Sequence, residues 1–252
     1  RTGEAGDWFI KSSVGQDSVA RFLLIYSSKK IVAENCDFFG ARAVGINLKS
    51  ISNVKMDGLF IGDVAKREWT GGDKSIDKEA CVAYCSYWEP NQCRDNSLTN
   101  SIAAGCAYAG FVAPGHDCDD YESEIFRYNV AHSSERAGAH IYPNPALSSS
   151  GSCYKGSHFS AYKNRDGGLQ TMYNTQDLRM HDMTFIDNEK GMSLQTAGER
   201  ERILISMTDV EIYGEDNNSD VPDGQNSYCK DKYGLMLFGA NRGGKPLHPT
   251  MS

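Results

Sequence analysis

One interval recurs along this chain and limits what it can fold into. An Asn or Asp heads a short alternating segment, and a Gly 9 or 10 residues later opens a second one. Asn35-Cys36-Asp37-Phe38-Phe39 precedes Gly45-Ile46-Asn47-Leu48, and Asn100-Ser101-Ile102-Ala103-Ala104 precedes Gly110-Phe111-Val112-Ala113. Asn129-Val130-Ala131-His132 precedes Gly138-Ala139-His140-Ile141, and Asp182-Met183-Thr184-Phe185-Ile186 precedes Gly191-Met192-Ser193-Leu194. Weaker copies begin at Ser52, Gly168, Asp209 and Gly234. Gly110, Gly138, Gly168 and Gly191 are separated by 28, 30 and 23 residues. Coils of this length carrying several short strands are the repeat of a β-solenoid. A β-sandwich also punctuates short strands with glycine, but it leaves the constant interval unexplained.

The expected fold is therefore all-β, a right-handed parallel β-helix with disulfide-stabilised loop insertions. Equivalent residues of successive coils would stack about 4.8 Å apart, with inward apolar side chains forming ladders. Asn35, Asn100, Asn129 and Asp182 are expected at related corners, bonding to the coils above and below, and the recurring glycines are expected to permit the sharp bends. Residues 1–252 read as a single β-helix domain, a fragment of a larger protein, with a Cys-rich insertion at 66–99 and an acidic loop insertion at 214–232. Asp73–Tyr87 has room for a helical turn or two, and no segment sustains a 3.6-residue apolar period.

Composition narrows the function classes. A net charge of −7 disfavours a general role on nucleic acid, whose phosphates would repel the chain. No apolar run approaches the ~20 residues that span a bilayer, so any membrane anchor belongs to other parts of the parent protein. The eight cysteines, Cys36, Cys81, Cys85, Cys93, Cys106, Cys118, Cys153 and Cys229, are even in number and mostly flanked by loop-forming residues. They are expected to form disulfides, with no pairing chosen by the sequence, and disulfides point to an oxidising, extracellular compartment. The triplet Cys81, Cys85, Cys93 also admits a zinc reading, but it lacks a Cys-x2-Cys pair and a nearby His.

The stretch from Asn100 to Phe111, Asn-Ser-Ile-Ala-Ala-Gly-Cys-Ala-Tyr-Ala-Gly-Phe, continued by Val112-Ala113-Pro114-Gly115-His116-Asp117-Cys118, resembles the parallel-β-helix repeats of fibrocystin and fibrocystin-like receptor ectodomains. Asn129-Val130-Ala131-His132-Ser133 echoes it. The resemblance spans 20–240 in architecture and is sharp over 96–142. It implies an extracellular, cell-surface or ciliary location in a very large modular glycoprotein. The same β-helix is shared with hyaluronidases of the transmembrane-protein-2 kind. The Cys81–Cys93 insert departs from these families.

Several residues are candidates for chemistry. His116-Asp117-Cys118-Asp119-Asp120 places a His among carboxylates, a set suited to general acid–base work on a glycan or equally to a solvated turn. His132 and His140 share one repeat, and His158 and His181 fall in later ones; stacked, they would line one face. Asp216, Asn218, Asp220 and Asp223 space oxygen ligands as a calcium loop does, without the complete EF-hand pattern. Asn217 heads the only Asn-x-Ser/Thr sequon and is the expected glycosylation site. Trp69 and Trp88, with Tyr84 and Tyr87, flank the Cys-rich insert as a sugar- or protein-binding surface or as packing.

The sequence reading favours a non-catalytic structural and recognition module whose partners are other extracellular modules, proteins or glycans. The alternatives are a glycan-active hydrolase or lyase, with His116, Asp117, His132 and His140 as catalytic candidates, and a subunit of a surface filament. The sequence requires no cofactor, and calcium is the one it admits, at a segment that reads equally as a solvated acidic loop.

Overall fold

The computed structural model describes residues 8–19, 21–26, 29–49, 51–65, 80–84, 96–114, 116–117, 126–142, 152–171, 175–197, 204–214 and 233–240. β1 (Trp8–Lys11), β2 (Val14–Gln16) and β3 (Arg21–Tyr26) form a first coil, and β4 (Lys29–Glu34), β5 (Asp37–Phe39) and β6 (Val44–Lys49) a second. β7 (Ser52–Asp57), β8 (Phe60–Val64) and β9 (Val82–Tyr84) form the third, and β10 (Ser97–Thr99), β11 (Ile102–Cys106) and β12 (Ala109–Pro114) the fourth. After the short β13 (His116–Asp117) come β14 (Phe126–Arg127), β15 (Val130–His132) and β16 (Ala137–Tyr142), then β17 (Ser152–Ser157), β18 (Ser160–Tyr162) and β19 (Gly167–Thr171). In the last two coils a single long strand serves two faces: β20 (Thr175–Ile186) is followed by β21 (Lys190–Ala197), and β22 (Leu204–Tyr213) by β23 (Tyr233–Ala240). Among the described residues there is no helix.

Each strand pairs with its counterpart in the next coil, and these pairings are parallel, so the chain is a parallel β-solenoid with three faces. The first face runs β1-β4-β7-β10-β14-β17-β20, the second β2-β5-β8-β11-β15-β18-β20, and the third β3-β6-β9-β12-β16-β19-β21-β23. β13 alone pairs antiparallel, with β17. Stretches read as insertion supply two ladder strands: β9 and β10 lie within 66–99 and pair in register with β6, β12, β7 and β14. Ala80–Tyr84, where a helical turn was allowed, includes a strand for the same reason.

Alternation places every second side chain inside. On the third face Leu23, Ile46, Val82, Phe111, Ala139, Leu169, Met192 and Leu235 fall in one register column. Further in, Phe126 packs on Phe111 and Phe159 with ring centroids 5.5 and 5.2 Å apart, and Phe159 on Phe185 at 6.1 Å, all tilted edge to face. Such pairs add about 0.5–1.5 kcal/mol each beyond their buried area.

The corners show what the polar residues are for. Ser12, Asn35, Gly58, Asn100, Tyr128, His158, Asp182 and Asp209 all have positive φ, between 48° and 63°, and stack in one column where the first face meets the second. Asn, Asp, His and Gly tolerate this left-handed region better than other residues. From Ser12 to His158 the left-handed N–H groups still donate along the stack, as Asn35 does to Asp57 O at 3.0 Å and His158 to His181 O at 3.2 Å. Asp17, Gly40, Asp63, Gly105, Ser133, Lys163 and Asp187 form a second left-handed column between the second and third faces.

Asn129 stands one residue past the expected position. It follows left-handed Tyr128 and points inward, its Oδ1 accepting from Ser101 N at 3.0 Å and its Nδ2 donating to Leu98 O at 2.9 Å. Asn164 and Asn188 do the same at the second corner. Asn188 Oδ1 accepts from Asn164 N at 3.0 Å, and Asn164 Oδ1 from Ser134 N at 3.0 Å. The sequence expectation of corner residues bonding between coils therefore holds for a buried class of Asn, and also at the bend, where Asn100 Nδ2 donates to Asp57 Oδ1 of the coil before at 2.6 Å and Asp182 Oδ2 pairs with His158 of the coil before.

The recurring glycines have a different role from the one expected. Gly45, Gly110, Gly138, Gly168, Gly191 and Gly234 are not at positive φ, so the bend does not require them. They stack in one column with Cys81, in which a Cβ would meet the next coil. At Gly110 it would lie 2.7 Å from Gly138 O, and at Gly138 2.6 Å from Gly168 O and 2.8 Å from Ala161 Cβ. Real Cβ atoms do not approach that closely. Gly138→Ala is accordingly expected to lose about 1–3 kcal/mol in urea unfolding through overpacking. Gly234→Ala, where the added methyl meets only Ile212 at 3.7 Å, should stay within about 0.5 kcal/mol of wild type. Equal losses at the two positions would refute the close-approach account.

Candidate functional site

The cysteines fall in three classes. Cys81 and Cys106 are bridged, with Cα atoms 5.6 Å apart, and both are fully buried. This bridge crosses the core between the third and fourth coils rather than stiffening a loop. Cys153 is disulfide-bonded too. Cys36 is a free, buried thiol, contrary to expectation. It lies in the inward column of the first corner between Ser13 and Leu59, so no cysteine stands directly above or below it, and its Sγ faces Glu34 O at 3.2 Å. Cys85, Cys93, Cys118 and Cys229 lie outside the described residues, as do Asp119, Asp120, Trp69, Trp88, Tyr87, the Asp216, Asn218, Asp220, Asp223 set and Asn217. Tyr84 closes β9.

Of the four catalytic candidates, His132 and His140 lie on different faces of the solenoid. His116 and Asp117 form β13, whose backbone faces Cys153 and Ser152. His132 points outward from the second face, its ring stacked on Tyr162 at 4.7 Å with planes 7° apart. His140 belongs to the third face, between the core residues Ala139 and Ile141, so alternation turns it to the outer side. There it is buried, sharing a 3.0 Å hydrogen bond between its Nδ1 and the Tyr108 hydroxyl. Arg136 lies 5.4 Å over the Tyr108 ring. Burial pushes the His140 imidazole down to about 4, with Asp166 opposing and Arg136 assisting, so near neutral pH it is an uncharged packing residue.

Two other arrangements carry functional potential. The first is the outer surface of the second face. One outward column runs Val14, Asp37, Phe60, Ile102, Val130, Ser160, Thr184 and Glu211, and the other Gln16, Phe39, Gly62, Ala104, His132, Tyr162, Ile186 and Tyr213. Phe39 packs on Phe60 at 4.8 Å, and Val14, Ile186 and Tyr213 are 68%, 39% and 53% exposed. A soluble sheet normally shows polar residues on its wet side, so the aromatic and aliphatic residues set among these polar ones are notable.

The second is the first corner between the sixth and seventh coils. His158 in one coil is followed at the same register position by Asp182 in the next, with His181 beside it. His181 Nδ1 lies 2.8 Å and His158 Nε2 3.5 Å from the same oxygen, Asp182 Oδ2. Tyr128, one coil below, lays its ring over His158 with centroids 4.3 Å apart. Of the histidines read as candidates, this structure brings together His158 and His181, not His132 and His140. Asp182, assigned only to a corner, is the residue that joins them. The signal that could have found it is the coil interval: His158 and Asp182 are 24 residues apart, and Gly168 and Gly191 are 23.

No family model matches the sequence, and no solved structure matches it. One curated protein does, over 212 residues at 27% identity, which is 82% of this chain and 5% of that protein. The chain is similar to fibrocystin of Mus musculus. The similarity to fibrocystin runs through most of the solenoid rather than only through the stretch around Asn100–Phe111. The chain spans 5% of fibrocystin's length, so it corresponds to one segment of a far longer polypeptide.

His140 gives a pH prediction. A free imidazole titrates near ~6.5, but in the folded chain burial holds His140 at about 4. Between those values the unfolded chain takes up a proton that the folded one refuses, so stability rises with pH through this window and falls on acidification. Urea unfolding should lose about 3 kcal/mol from this group between pH 7 and pH 4, and His140→Gln should flatten that part of the curve. An unchanged pH profile in the variant would assign the acid sensitivity elsewhere.

Proposed function

We propose that this chain is a non-catalytic recognition segment of a large extracellular, cell-surface protein, a rigid spacer that also presents a binding face. The observation that carries the reading is the second face. A flat run of parallel strands holds Phe39, Phe60, Ile102, Val130, Tyr162, Ile186 and Tyr213 outward at a fixed coil spacing. Large apolar patches kept against water mark interaction surfaces, and aromatic side chains are the residue class that such surfaces concentrate. The buried Cys81–Cys106 bridge suits an oxidising compartment. Similarity to fibrocystin across a small part of that protein's length suits one module of a very large chain. A ciliary location and glycosylation at Asn217 belong to the same proposal.

Two measurements test it. The chain, secreted from eukaryotic cells and labelled, should bind intact cells saturably. The double variant Tyr162→Ala, Ile186→Asp should bind at least tenfold more weakly with an unchanged circular dichroism spectrum. Saturable binding that the variant retains in full would remove the face from the proposal. Incubation with hyaluronan or pectin should leave polymer size unchanged, and shortened products would favour the glycan-active alternative. Separately, the thiol count in denaturant without reductant should include Cys36 and exclude Cys81, Cys106 and Cys153. Reduction should cost about 3.5 kcal/mol at the Cys81–Cys106 loop alone, for a sequence separation of 25.

A further inference from the structure

We propose that the corner formed by His158, His181 and Asp182 binds a divalent transition-metal ion of the zinc class, clamping the sixth coil to the seventh. The donors are two imidazole nitrogens and one carboxylate oxygen, a set that suits zinc, cobalt, nickel or copper and not calcium, which takes oxygen ligands only. One ligand atom from each of the three residues lies within 4.8 Å of the others. Ligands about 2.1 Å from a tetrahedral ion stand roughly 3.4 Å apart. The His158 Nε2 to Asp182 Oδ2 distance is already 3.5 Å. His181 Nδ1, at 2.8 Å from the same oxygen, reaches a matching spacing by a small side-chain rotation.

The backbone beneath the ligands is fixed rather than loose. His158 and Asp182 are consecutive members of the left-handed column, with φ of 51° and 52°, and the His158 N–H donates to the His181 carbonyl at 3.2 Å. Tyr128 closes one side of the His158 ring. The side chains of His158, His181 and Asp182 remain 38%, 35% and 46% exposed, which leaves an ion a route in and a fourth position for water or a partner's side chain. One feature limits affinity. Binding through Nε2 puts the His158 proton on Nδ1, which is buried without a hydrogen-bond partner. Metal-bound histidines gain about 10–100-fold in affinity from an acceptor at that position, and this site forgoes that gain.

The test uses the full chain after chelator treatment, titrated with cobalt chloride. A visible absorption band of a low-coordinate N/O site should saturate at one ion per chain and disappear on adding zinc chloride. Zinc should also raise the melting temperature. Asp182→Asn retains a residue that accepts the left-handed bend, and His181→Ala removes a half-exposed side chain, so both variants should melt like the metal-free wild type. Each should bind cobalt and zinc at least tenfold more weakly. Absence of the band, or a band of unchanged affinity in both variants, would overturn the proposal.

Discussion

Hydrogen bonds between coils run along the axis of this molecule, and they continue through the bends because the residue at each bend is left-handed. At the first corner, eight such residues stack in register from Ser12 to Asp209. Each adopts a conformation that costs an ordinary side chain about 1–2 kcal/mol, and Ser12, Asn35, Gly58, Asn100, Tyr128 and His158 donate their N–H groups to the next coil nonetheless. Fixing that bend at a constant phase sets the register of all three faces. The glycine column, the Phe ladder and the inward asparagines can then recur one above another. A slip of one residue would turn every inward side chain out.

The buried asparagines follow from the same constraint. A bend inside a solenoid exposes backbone groups that strand pairing cannot reach, and an unpaired buried polar group costs about 1–3 kcal/mol. Asn129, Asn164 and Asn188 answer this by accepting from an N–H of the preceding coil and donating to a carbonyl of that same coil. Where Cys106 occupies the position held by Ser134, Asn164 and Asn188 in later coils, the core carries a covalent link to Cys81 in the glycine column instead.

Much of this was legible in the sequence because repetition was. The Asn-to-Gly interval is the distance from the first corner to the start of the third face, and it survives wherever the second face keeps its short strand. The role of the glycines was not legible, since a residue needed for a bend and one needed for close approach leave the same letter. Asn35 and Asn129 likewise look alike but differ by one position, and a single residue separates a bend from the interior. His158 and Asp182 meet because one coil there is 24 residues long. The sequence allowed the histidines of successive coils to stack, and His158 and His181 do meet, but it did not show that Asp182 joins them.

The Cys81–Cys106 bridge also has a mechanical side. Load applied through the chain ends of a solenoid peels away the terminal coils, breaking a few axial hydrogen bonds at a time. The residues between the bridged cysteines, a sequence separation of 25, cannot be drawn out while the sulfurs stay joined, although the coils outside them still peel. The greatest length the solenoid can reach under tension therefore depends on the redox state of this bridge.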